Sequence, residues 1–329
     1  MKKNLPKISK TIDEKDIFWC LEDNYNSLSI EWFVIVDKWM LNSYSVFKDH
    51  EKYLILIHLV KKTFDFYARN FIKLSWEQFF SLKKIELGKF NIINVSKELK
   101  ISRETTRRKI GELEKDEIIK RTKSGVVVQT AFFNNTFNQS NKEFLKLICV
   151  FASKFSLILN ENRILKEKIK SDLIEKSVAD NFTYAWKVFF EMQIPYLIDW
   201  RSFFGDLETW HIWATTFVNQ NYEIQKYFKF KNLKIKNKKD FFEAHSKIKD
   251  KIGINAMSIS NITGIPRATV VRKLNKLIKN KHLVIDDKKL YYPNTKYYGE
   301  TSVIKLTTQT IHRLSAFLDK ILNLTISSK

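Results

Sequence analysis

The chain has 329 residues, 44% of them hydrophobic, and its 26 Phe, 12 Tyr and 8 Trp supply core material for two domains or one large domain. Only seven Gly and four Pro are present, which argues against a barrel or sandwich with many tight turns and favours long helices with short connections. The net charge of +22 predicts an anionic partner, either nucleic acid or an acidic membrane face, although an AT-rich genome would also enrich lysine.

The sequence shows no pattern of export or of a membrane span. After Met1 the N-terminus stays polar and lacks the apolar stretch of a signal peptide. The most hydrophobic helix-like stretch, residues 144–159, is short and is interrupted by Lys146 and Lys154. We therefore expect a cytoplasmic protein that has no membrane partner.

The first half of the chain, residues 1–164, is predicted to have three parts. Aromatic-rich helices at roughly 28–87 precede a compact basic segment at about 88–130, and an amphipathic closing helix at 142–159 follows. Residues 160–176 carry the chain onward, and their alternating charges predict a solvated helix.

The first basic segment has the pattern of two short helices followed by a hairpin. Asn94 is predicted to cap the first helix and Ser102 the second, with Ile101 buried between them. The second helix would bury Thr106, Ile110 and Leu113 on one face and expose Arg103, Arg107, Arg108 and Lys109 on the other. The β-branched runs 118–122 and 126–128 flank a tip that begins at Lys123, which predicts a two-stranded wing.

The second half, residues 165–329, is predicted to follow the same order. Aromatic helices at roughly 178–252 precede a basic segment at about 253–293, and a closing helix at 307–324 follows. Lysines recur from 226 to 239, where they would either grip backbone phosphates or form a solvated loop.

The second basic segment is predicted to form the same elements as the first. Ser258 would cap a helix that turns Ile259 and Ile262 inward, and Gly264 would supply a positive-φ turn before Ile265. The next helix would bury Val270, Leu274 and Leu277 and expose Arg267, Val271, Arg272 and Lys273. The hairpin strands 282–285 and 290–292 flank Asp286 and Asp287, which would repel a phosphate, whereas Lys123 suits one.

The two basic segments are copies of one pattern. The motif Arg-x-Thr-x-x-Arg-Lys-aliphatic-x-x-Leu begins at Arg103 and again at Arg267, and the shift of 164 positions holds without a gap from Val95 to Ile119. An internal repeat predicts a tandem architecture. We therefore predict a mainly α fold with small β-hairpin wings, built from two duplicated halves with flanking helices.

The exposed face of each second helix has the chemistry of a DNA-reading helix. A helix in the major groove must offer donors to guanine and to phosphates from its first two turns. Arg103 and Arg107 lie four residues apart and so point to the same side. The short hydroxyl side chains of Ser102, Thr105 and Thr269 let the backbone approach closely.

The stretch from Ser258 to Leu274 resembles the winged-helix segment of bacterial regulators of the MarR and IclR type. The resemblance covers about forty residues in each half. In MarR-type regulators, helices before and after the winged helix build a dimer interface, so the resemblance implies a fused pseudo-dimer. Pattern and resemblance together assign DNA contacts to Ser102, Arg103, Thr105, Arg107, Arg108, Lys109, Lys123, Arg267, Thr269, Val271, Arg272 and Lys273.

The remaining residues offer no catalytic or cofactor motif. The histidines are scattered without metal spacing, and no phosphate-binding glycine loop or nucleophile elbow is present, so we expect neither an enzyme nor a cofactor. The helices carry a tryptophan set that would either enclose a small apolar effector or, as we favour, pack in the core. Its members are Trp32, Trp39, Trp186, Trp200, Trp210 and Trp213.

Three functional hypotheses follow. The first is a transcriptional regulator that binds double-stranded DNA at an asymmetric site, as a monomer with pseudo-two-fold symmetry and with further dimerisation left open. The second is a plasmid or phage replication initiator, because such proteins resemble this chain in carrying two basic winged helices. The third is a scaffold whose winged helices bind polypeptides.

Overall fold

The computed structural model describes residues 11–123, 125–129, 138–247, 252–295 and 302–327. The protein is mainly helical with small antiparallel sheets, which confirms the predicted fold class at that level. The helices are α1 (Glu14–Asp23), α2 (Tyr25–Phe47), α3 (His50–Arg69), α4 (Trp76–Ser81), α5 (Ile92–Leu99), α6 (Arg103–Lys115), α7 (Asn138–Glu161), α8 (Ser171–Asp180), α9 (Phe182–Phe204), α10 (Leu207–Phe230), α11 (Lys238–Lys247), α12 (Ala256–Thr263), α13 (Arg267–Lys279) and α14 (Ser302–Ser327). The strands are β1 (Lys84–Glu86), β2 (Ile119–Thr122), β3 (Gly125–Gln129), β4 (Leu283–Ile285) and β5 (Tyr291–Pro293).

The chain divides into two compact units. Unit one consists of the described parts of Met1–Ile17, Glu51–Ile198 and Arg313–Lys329. Unit two consists of the described parts of Phe18–His50 and Asp199–His312. Each unit takes chain from both of the predicted halves, 1–164 and 165–329, and the division into two repeated halves stays a prediction.

The core of unit one is largely aromatic. The ring of Phe182, at the start of α9, lies 4.9 Å from that of Trp76 and 5.0 Å from that of Phe79, centroid to centroid. Phe64 of α3 stacks on Phe190 of α9 at 6.0 Å. Edge-to-face and offset pairs of this kind add to the stability gained from burying the rings. They hold α4 in place, and α4 leads directly into the first strand.

Unit one contains a three-stranded antiparallel sheet in the order β1-β3-β2. Val128 of β3 pairs with Ile85 of β1 on one side and with Ile119 of β2 on the other. The hairpin of β2 and β3 was predicted from the sequence, whereas β1 was not. Residues 84–87 alternate between exposed and buried positions, but a strand of three residues is shorter than the runs of four to eight that identify a strand from sequence.

Unit two packs aromatic rings around α10. Trp200 stacks on Trp210 at 6.1 Å and on Trp213 at 5.7 Å, centroid to centroid. In the small sheet, β4 and β5 pair antiparallel, and Ile254 forms a bridge with Tyr291 of β5. Most of the predicted tryptophan set is buried in the core, namely Trp32, Trp39, Trp200, Trp210 and Trp213.

Both short helices that precede an arginine-bearing helix begin three residues earlier than the sequence predicted. Asn91, not Asn94, caps α5, and its side chain accepts a hydrogen bond from the Ile93 N–H at 2.7 Å. Asn255, not Ser258, caps α12 and accepts one from the Ser258 N–H at 2.9 Å. Each segment offers two capping residues, and the upstream one is used in both.

Two further sequence predictions were wrong. Ile262 is exposed rather than turned inward, because the buried face of α12 runs from Ile259 to Thr263 at four-residue spacing. Residues 162–170 do not form the predicted solvated helix. Ile169 is instead buried there, and its carbonyl accepts a hydrogen bond from the Ser153 hydroxyl at 2.7 Å. The burial of Ile169 therefore determines the conformation of this connection more strongly than its helical charge pattern does.

A buried polar cluster lies in unit two, where α2, α10 and the first residue of α3 meet. The Nδ1 atom of His50 lies 3.1 Å from the Ser43 hydroxyl, and its Nε2 atom lies 3.3 Å from Nδ1 of His211. The backbone N–H of His50 donates a hydrogen bond to the Glu208 carboxylate at 3.4 Å. Burial and the nearby Asp49 raise the pKa of Glu208 to about 7.

We expect the Glu208→Gln variant to be more stable than the wild type at pH 8 and equally stable at pH 4.5. Between the ordinary pKa of 4.5 and about 7, the unfolded chain releases this proton while the folded chain keeps it, so stability falls as pH rises. A pKa shift of this size destabilises the folded wild type by roughly 3 kcal/mol above pH 7. Urea unfolding of both proteins at pH 4.5, 6 and 8 measures the effect. A stability difference that does not change with pH would contradict it.

Candidate nucleic-acid interface

Helix α6 is oriented by a capping network at its first turn. The Ser102 hydroxyl accepts a hydrogen bond from the Thr105 N–H at 3.1 Å and donates to the Thr105 hydroxyl at 2.8 Å. Thr106, Ile110 and Leu113 are buried beneath the helix, as the sequence predicted. The opposite face therefore carries Arg103 and Arg107 into solvent, where both are exposed.

Arg103 and Arg107 line a cleft of about 450 Å³ together with Arg121 of β2. The other wall includes Asn91 and Ile92, at the N-terminus of α5, where unpaired backbone N–H groups give a partial positive charge. Three guanidinium groups and a helix N-terminus around one cleft are suited to binding anionic oxygen atoms such as those of phosphates.

Arg121 was missed by the sequence reasoning, which treated the first hairpin as a wing whose contact lies at the tip. The signal was the run of polar residues Lys120, Arg121 and Thr122 after two buried isoleucines, and Arg121 is exposed. Its Nε atom donates to Glu114 of α6 at 2.6 Å. This bond ties the hairpin to the arginine-bearing helix and leaves the rest of the guanidinium group for a ligand.

Lys109 does not lie on the exposed face, contrary to the prediction. Its side chain is only 9% exposed, and its Nζ atom is 2.9 Å from a carboxylate oxygen of Glu112. Lys109 lies three residues after Thr106 and four before Leu113, so the helical spacing places it beside the buried stripe. Arg108 is 61% exposed and lies 3.5 Å from Glu112.

Helix α13 has a comparable exposed face with fewer cations. Arg267 and Arg272 are exposed, Val271 is 37% exposed, and Thr269 is half-buried. Before the helix, Gly264 has φ 69°, the left-handed conformation that was predicted.

Lys273 of α13 was also predicted to be exposed, and this was wrong. Its side chain is 12% exposed, and its Nζ atom lies 2.6 Å from Oδ1 of Asp206, the residue that caps α10. Lys273 follows Val270 by three residues and precedes Leu277 by four, which is the spacing of Lys109 in α6. The lysine of the repeated motif is thus held by a carboxylate in each case.

The two hairpins differ in charge at their tips. Lys123 is exposed at the first tip. At the second, hydrogen bonds from the Tyr292 hydroxyl and the Leu290 N–H hold the pKa of Asp286 below its usual range. Asp286 therefore stays ionised and organises the turn, and Asp287 beside it is exposed. The second tip is unsuited to a phosphate.

The lysine run at 226–239 lies at the end of α10, in the following loop and at the start of α11. Lys238 is removed from solvent by contacts with Glu22 and with the Thr308 hydroxyl, the latter at 2.7 Å. The remaining lysines of the run are exposed, namely Lys226, Lys229, Lys231, Lys234, Lys236 and Lys239.

Within the described residues, no helix combines the length and the apolar character needed to cross a membrane. In the same part of the chain, no group of three or more His, Cys, Asp or Glu side chains is placed to hold a metal ion.

Residues 85–132 match the family model of the DeoR-like helix-turn-helix domain. The matched stretch begins in β1 and takes in α5, α6, β2 and β3. The chain therefore carries a DeoR-type helix-turn-helix DNA-binding domain here, of the kind found in transcription regulators. The match does not support the narrower MarR or IclR type. No curated protein and no solved structure is significantly similar to the chain.

Proposed function

We propose that the protein is a transcriptional regulator that binds an asymmetric double-stranded DNA site through two winged helices in one chain. The cleft of Arg103, Arg107 and Arg121 carries the proposal, because it lies within the DeoR-like segment and presents guanidinium groups beside an outward helix face. Arginine at such a position can bind guanine in two hydrogen bonds or neutralise phosphates.

The second winged helix is inferred from the order of its elements. Helices α5 and α12 both have 8 residues, and helices α6 and α13 both have 13. The members of each pair begin 164 positions apart, at 92 and 256 and at 103 and 267. In each case a two-stranded antiparallel hairpin follows. The agreement in length and offset supports a duplicated segment.

The flanking helices extend this argument beyond the basic segments. Helices α1 and α8 both have 10 residues and begin at positions 14 and 171. Helices α2 and α9 both have 23 residues and begin at positions 25 and 182. Both pairs are 157 positions apart, which is also the offset between Asp49 and Asp206. An insertion of seven residues within the second copy, between its flanking helices and its basic segment, explains the change from 157 to 164. We infer that the chain is a fused pseudo-dimer.

Two unlike reading helices predict a DNA site with two unlike halves. Glu104 and Arg107 of α6 correspond to Ala268 and Val271 of α13, so one helix offers charged groups where the other offers apolar ones. Apolar side chains favour contact with the methyl group of thymine, and arginine favours guanine. A perfect palindrome would therefore be a poor target.

Selection of bound duplexes from a random pool tests the proposal. We expect two different half-sites about one helical turn apart, bound by one copy of the chain, with an affinity that falls steeply as salt rises. A symmetric consensus bound by two copies would overturn the asymmetric, single-chain arrangement. Binding that is insensitive to salt, or no binding to any duplex, would favour the polypeptide-binding scaffold.

The same bound duplexes separate a regulator from a replication initiator. A regulator leaves the DNA flanking its site base-paired, whereas an initiator melts an adjacent AT-rich tract at closely spaced direct repeats. Permanganate reactivity of thymines beside the selected site reports melting. We expect no increase on binding, and a strong increase would favour the initiator.

A further inference from the structure

The C-terminal part of α10 exposes large aromatic side chains to solvent. Phe230 is 80% exposed, Tyr222 is 56% exposed and Tyr227 is 40% exposed. Leu233, in the loop that follows the helix, is 48% exposed. The aromatic rings in the first half of the same helix are buried instead. Exposed hydrophobic side chains that cluster among polar residues mark interaction sites.

Lysines lie among these hydrophobic side chains. The stretch from 222 to 236 contains five lysines, all exposed, against the single acidic residue Glu223, which gives a net charge of +4. Lys226 pairs with Glu223 at 2.8 Å, and the other four lysines have no ion-pair partner among the described residues. The three aromatic side chains and Leu233 form, with the five lysines, the aromatic-lysine surface. Its lysines are Lys226, Lys229, Lys231, Lys234 and Lys236.

Rings and ammonium groups share one face of α10. Tyr222, Lys226 and Phe230 follow one another at four-residue spacing, and Lys229 comes seven residues after Tyr222, so all four project to the same side. The Nζ atom of Lys226 lies 4.6 Å from the centroid of the Tyr222 ring. That of Lys231 lies 5.5 Å from the centroid of the Phe230 ring. The opposite face of this part of the helix is buried. Each of these two rings therefore has a cation beside it.

The loop that carries the last lysines is held in place by α2. The side-chain amide of Asn26 donates a hydrogen bond to the carbonyl of Ile235 at 2.9 Å, and its backbone N–H donates to that of Lys236 at 2.9 Å. The Leu233 N–H donates to the Phe228 carbonyl at 3.0 Å. Because the backbone is fixed by these bonds, less conformational entropy is lost when a ligand binds.

The combination of rings and lysines on one face distinguishes between anionic partners. A single nucleic-acid strand offers phosphates to lysines and base faces to aromatic rings, and stacking of this kind is how many proteins bind it. In a duplex the base faces are covered by their neighbours, so exposed rings gain nothing from it. An anionic membrane favours a helix with an apolar face on one side and lysines on the other. Here the lysines lie between the rings, and the opposite side packs into the protein.

We infer that the aromatic-lysine surface binds single-stranded nucleic acid. Bases stack on the rings of Tyr222 and Phe230, and the phosphates on either side pair with the neighbouring lysines. Every base has a face that can stack, so this surface binds strands with little sequence preference. The inference does not rest on duplex binding by α6 and α13, and each can fail without the other.

Fluorescence anisotropy of the full chain with labelled oligothymidylate and oligouridylate, each of roughly 20 nucleotides, tests the inference. We expect saturable binding of at least one of them, and a preference identifies DNA or RNA as the source of the strand. Polyglutamate has charge but no rings, so it should compete poorly with the labelled strand. Competition by polyglutamate as strong as that by unlabelled strand would overturn the inference. So would binding to phosphatidylserine vesicles without binding to either strand.

Variants of the two rings separate stacking from charge. Tyr222→Ala/Phe230→Ala should weaken binding of the strand at least about thirtyfold, because stacking on two rings is lost. Affinity for a duplex of the same length should stay nearly unchanged. Tyr222→Phe/Phe230→Tyr keeps both rings and should bind as the wild type does. The matched control is Phe66→Ala/Phe71→Ala, which removes two rings that are also exposed. An equal loss for both alanine pairs, or for strand and duplex, would overturn the inference.

Variants of two lysines test the phosphate contacts. For single strands, the slope of log affinity against log salt falls by roughly 0.7 for each phosphate contact removed. Lys229→Gln/Lys234→Gln should therefore flatten the salt dependence of strand binding. Lys166→Gln/Lys168→Gln changes two exposed lysines outside the aromatic-lysine surface and should leave the slope as it is. The same slope for both pairs would overturn the assignment of the strand to this surface.

Discussion

The Arg103→Ala/Arg107→Ala double variant is expected to lose about 2–6 kcal/mol of binding free energy for its DNA site, because each lost base contact costs about 1–3 kcal/mol. This is at least a thirtyfold rise in Kd, as roughly 1.4 kcal/mol corresponds to tenfold. Both side chains line the cleft in the DeoR-like segment, one helical turn apart on α6. Fluorescence anisotropy with the selected duplex at fixed salt measures the change. The expected result depends on base contacts, so affinity for an unrelated duplex should fall much less.

A matched control removes the same charge from elsewhere in unit one. Lys166 and Lys168 are exposed in the connection between α7 and α8, so Lys166→Ala/Lys168→Ala should leave specific binding nearly unchanged. Lys109→Met is a second control, because the amine of Lys109 is held by Glu112 and Lys109 does not line the cleft. If the lysine pair weakened binding as much as the arginine pair, net charge rather than the cleft would explain the affinity.

The buried apolar face of α6 and that of α13 could be predicted from the sequence. The burial of the lysine in the repeated motif could not. Spacing by three and four residues identified Thr106, Ile110 and Leu113, and all three are buried. The same spacing applies to Lys109, but a charged residue was assumed to be exposed. A lysine can bury its apolar stem while its amine reaches a carboxylate. The carboxylate for Lys109 is three residues away in the same helix.

For Lys273 the missing information is long-range. Its partner Asp206 lies 67 positions earlier in the sequence, and no local pattern relates the two residues. The same holds for β1, whose residue Ile85 pairs with Val128 far along the chain. Arg121 belongs with these, since its place in the cleft requires the hairpin to fold back towards α5 and α6. Local periodicity predicts individual helices and strands. The cleft and the ion pair of Lys273 depend on which helices and strands pack together, and local periodicity does not predict that.

The predicted starts of α5 and α12 were wrong because each segment offers two capping residues. Asn91 and Asn94 are equally good caps by residue type, and so are Asn255 and Ser258. Choosing between them requires knowing which N–H groups remain unpaired, which depends on the preceding strand or bridge. The bridge at Ile254 directly precedes Asn255, whereas β1 ends at Glu86 and Gly88, with φ 64°, lies between it and Asn91. In both segments the helix begins at the upstream capping residue.

The Asp206→Ala variant is expected to lower the free energy of unfolding by about 3 kcal/mol, the lower end of the range for breaking one side of a buried ion pair, because the Asp206 carboxylate is 21% exposed. Asp206 caps α10 by accepting a hydrogen bond from the Thr209 N–H at 2.8 Å, and it pairs with Lys273 at 2.6 Å. Removal of the carboxylate leaves the Lys273 amine, which is 12% exposed, without its partner 2.6 Å away. Urea unfolding at pH 7 measures the loss.

Two comparisons separate the roles of Asp206. Asp206→Asn keeps a capping oxygen but not the charge. It should therefore recover only about 1 kcal/mol of the free energy of unfolding that Asp206→Ala loses. Glu243→Ala removes a carboxylate from the exposed pair with Lys239, where the atoms are 4.0 Å apart, and should cost less than about 1 kcal/mol. Equal stability of the Ala and Asn variants of Asp206 would mean that the cap contributes nothing.

The stability contributed by Asp206 should also depend on pH in a defined direction. Burial raises its pKa, but hydrogen bonds from Lys273 and from the Thr209 N–H outweigh burial and hold the pKa below its usual range. The unfolded chain therefore takes up this proton at higher pH than the folded chain does. The contribution is complete above the ordinary pKa of 3.8 and is lost as pH falls through the folded value. The gap in stability between the wild type and Asp206→Ala should thus narrow as the pH falls below 4. A gap that stays constant into acid would show that the carboxylate is not stabilised by Lys273, and that the lysine of the repeated motif has another role.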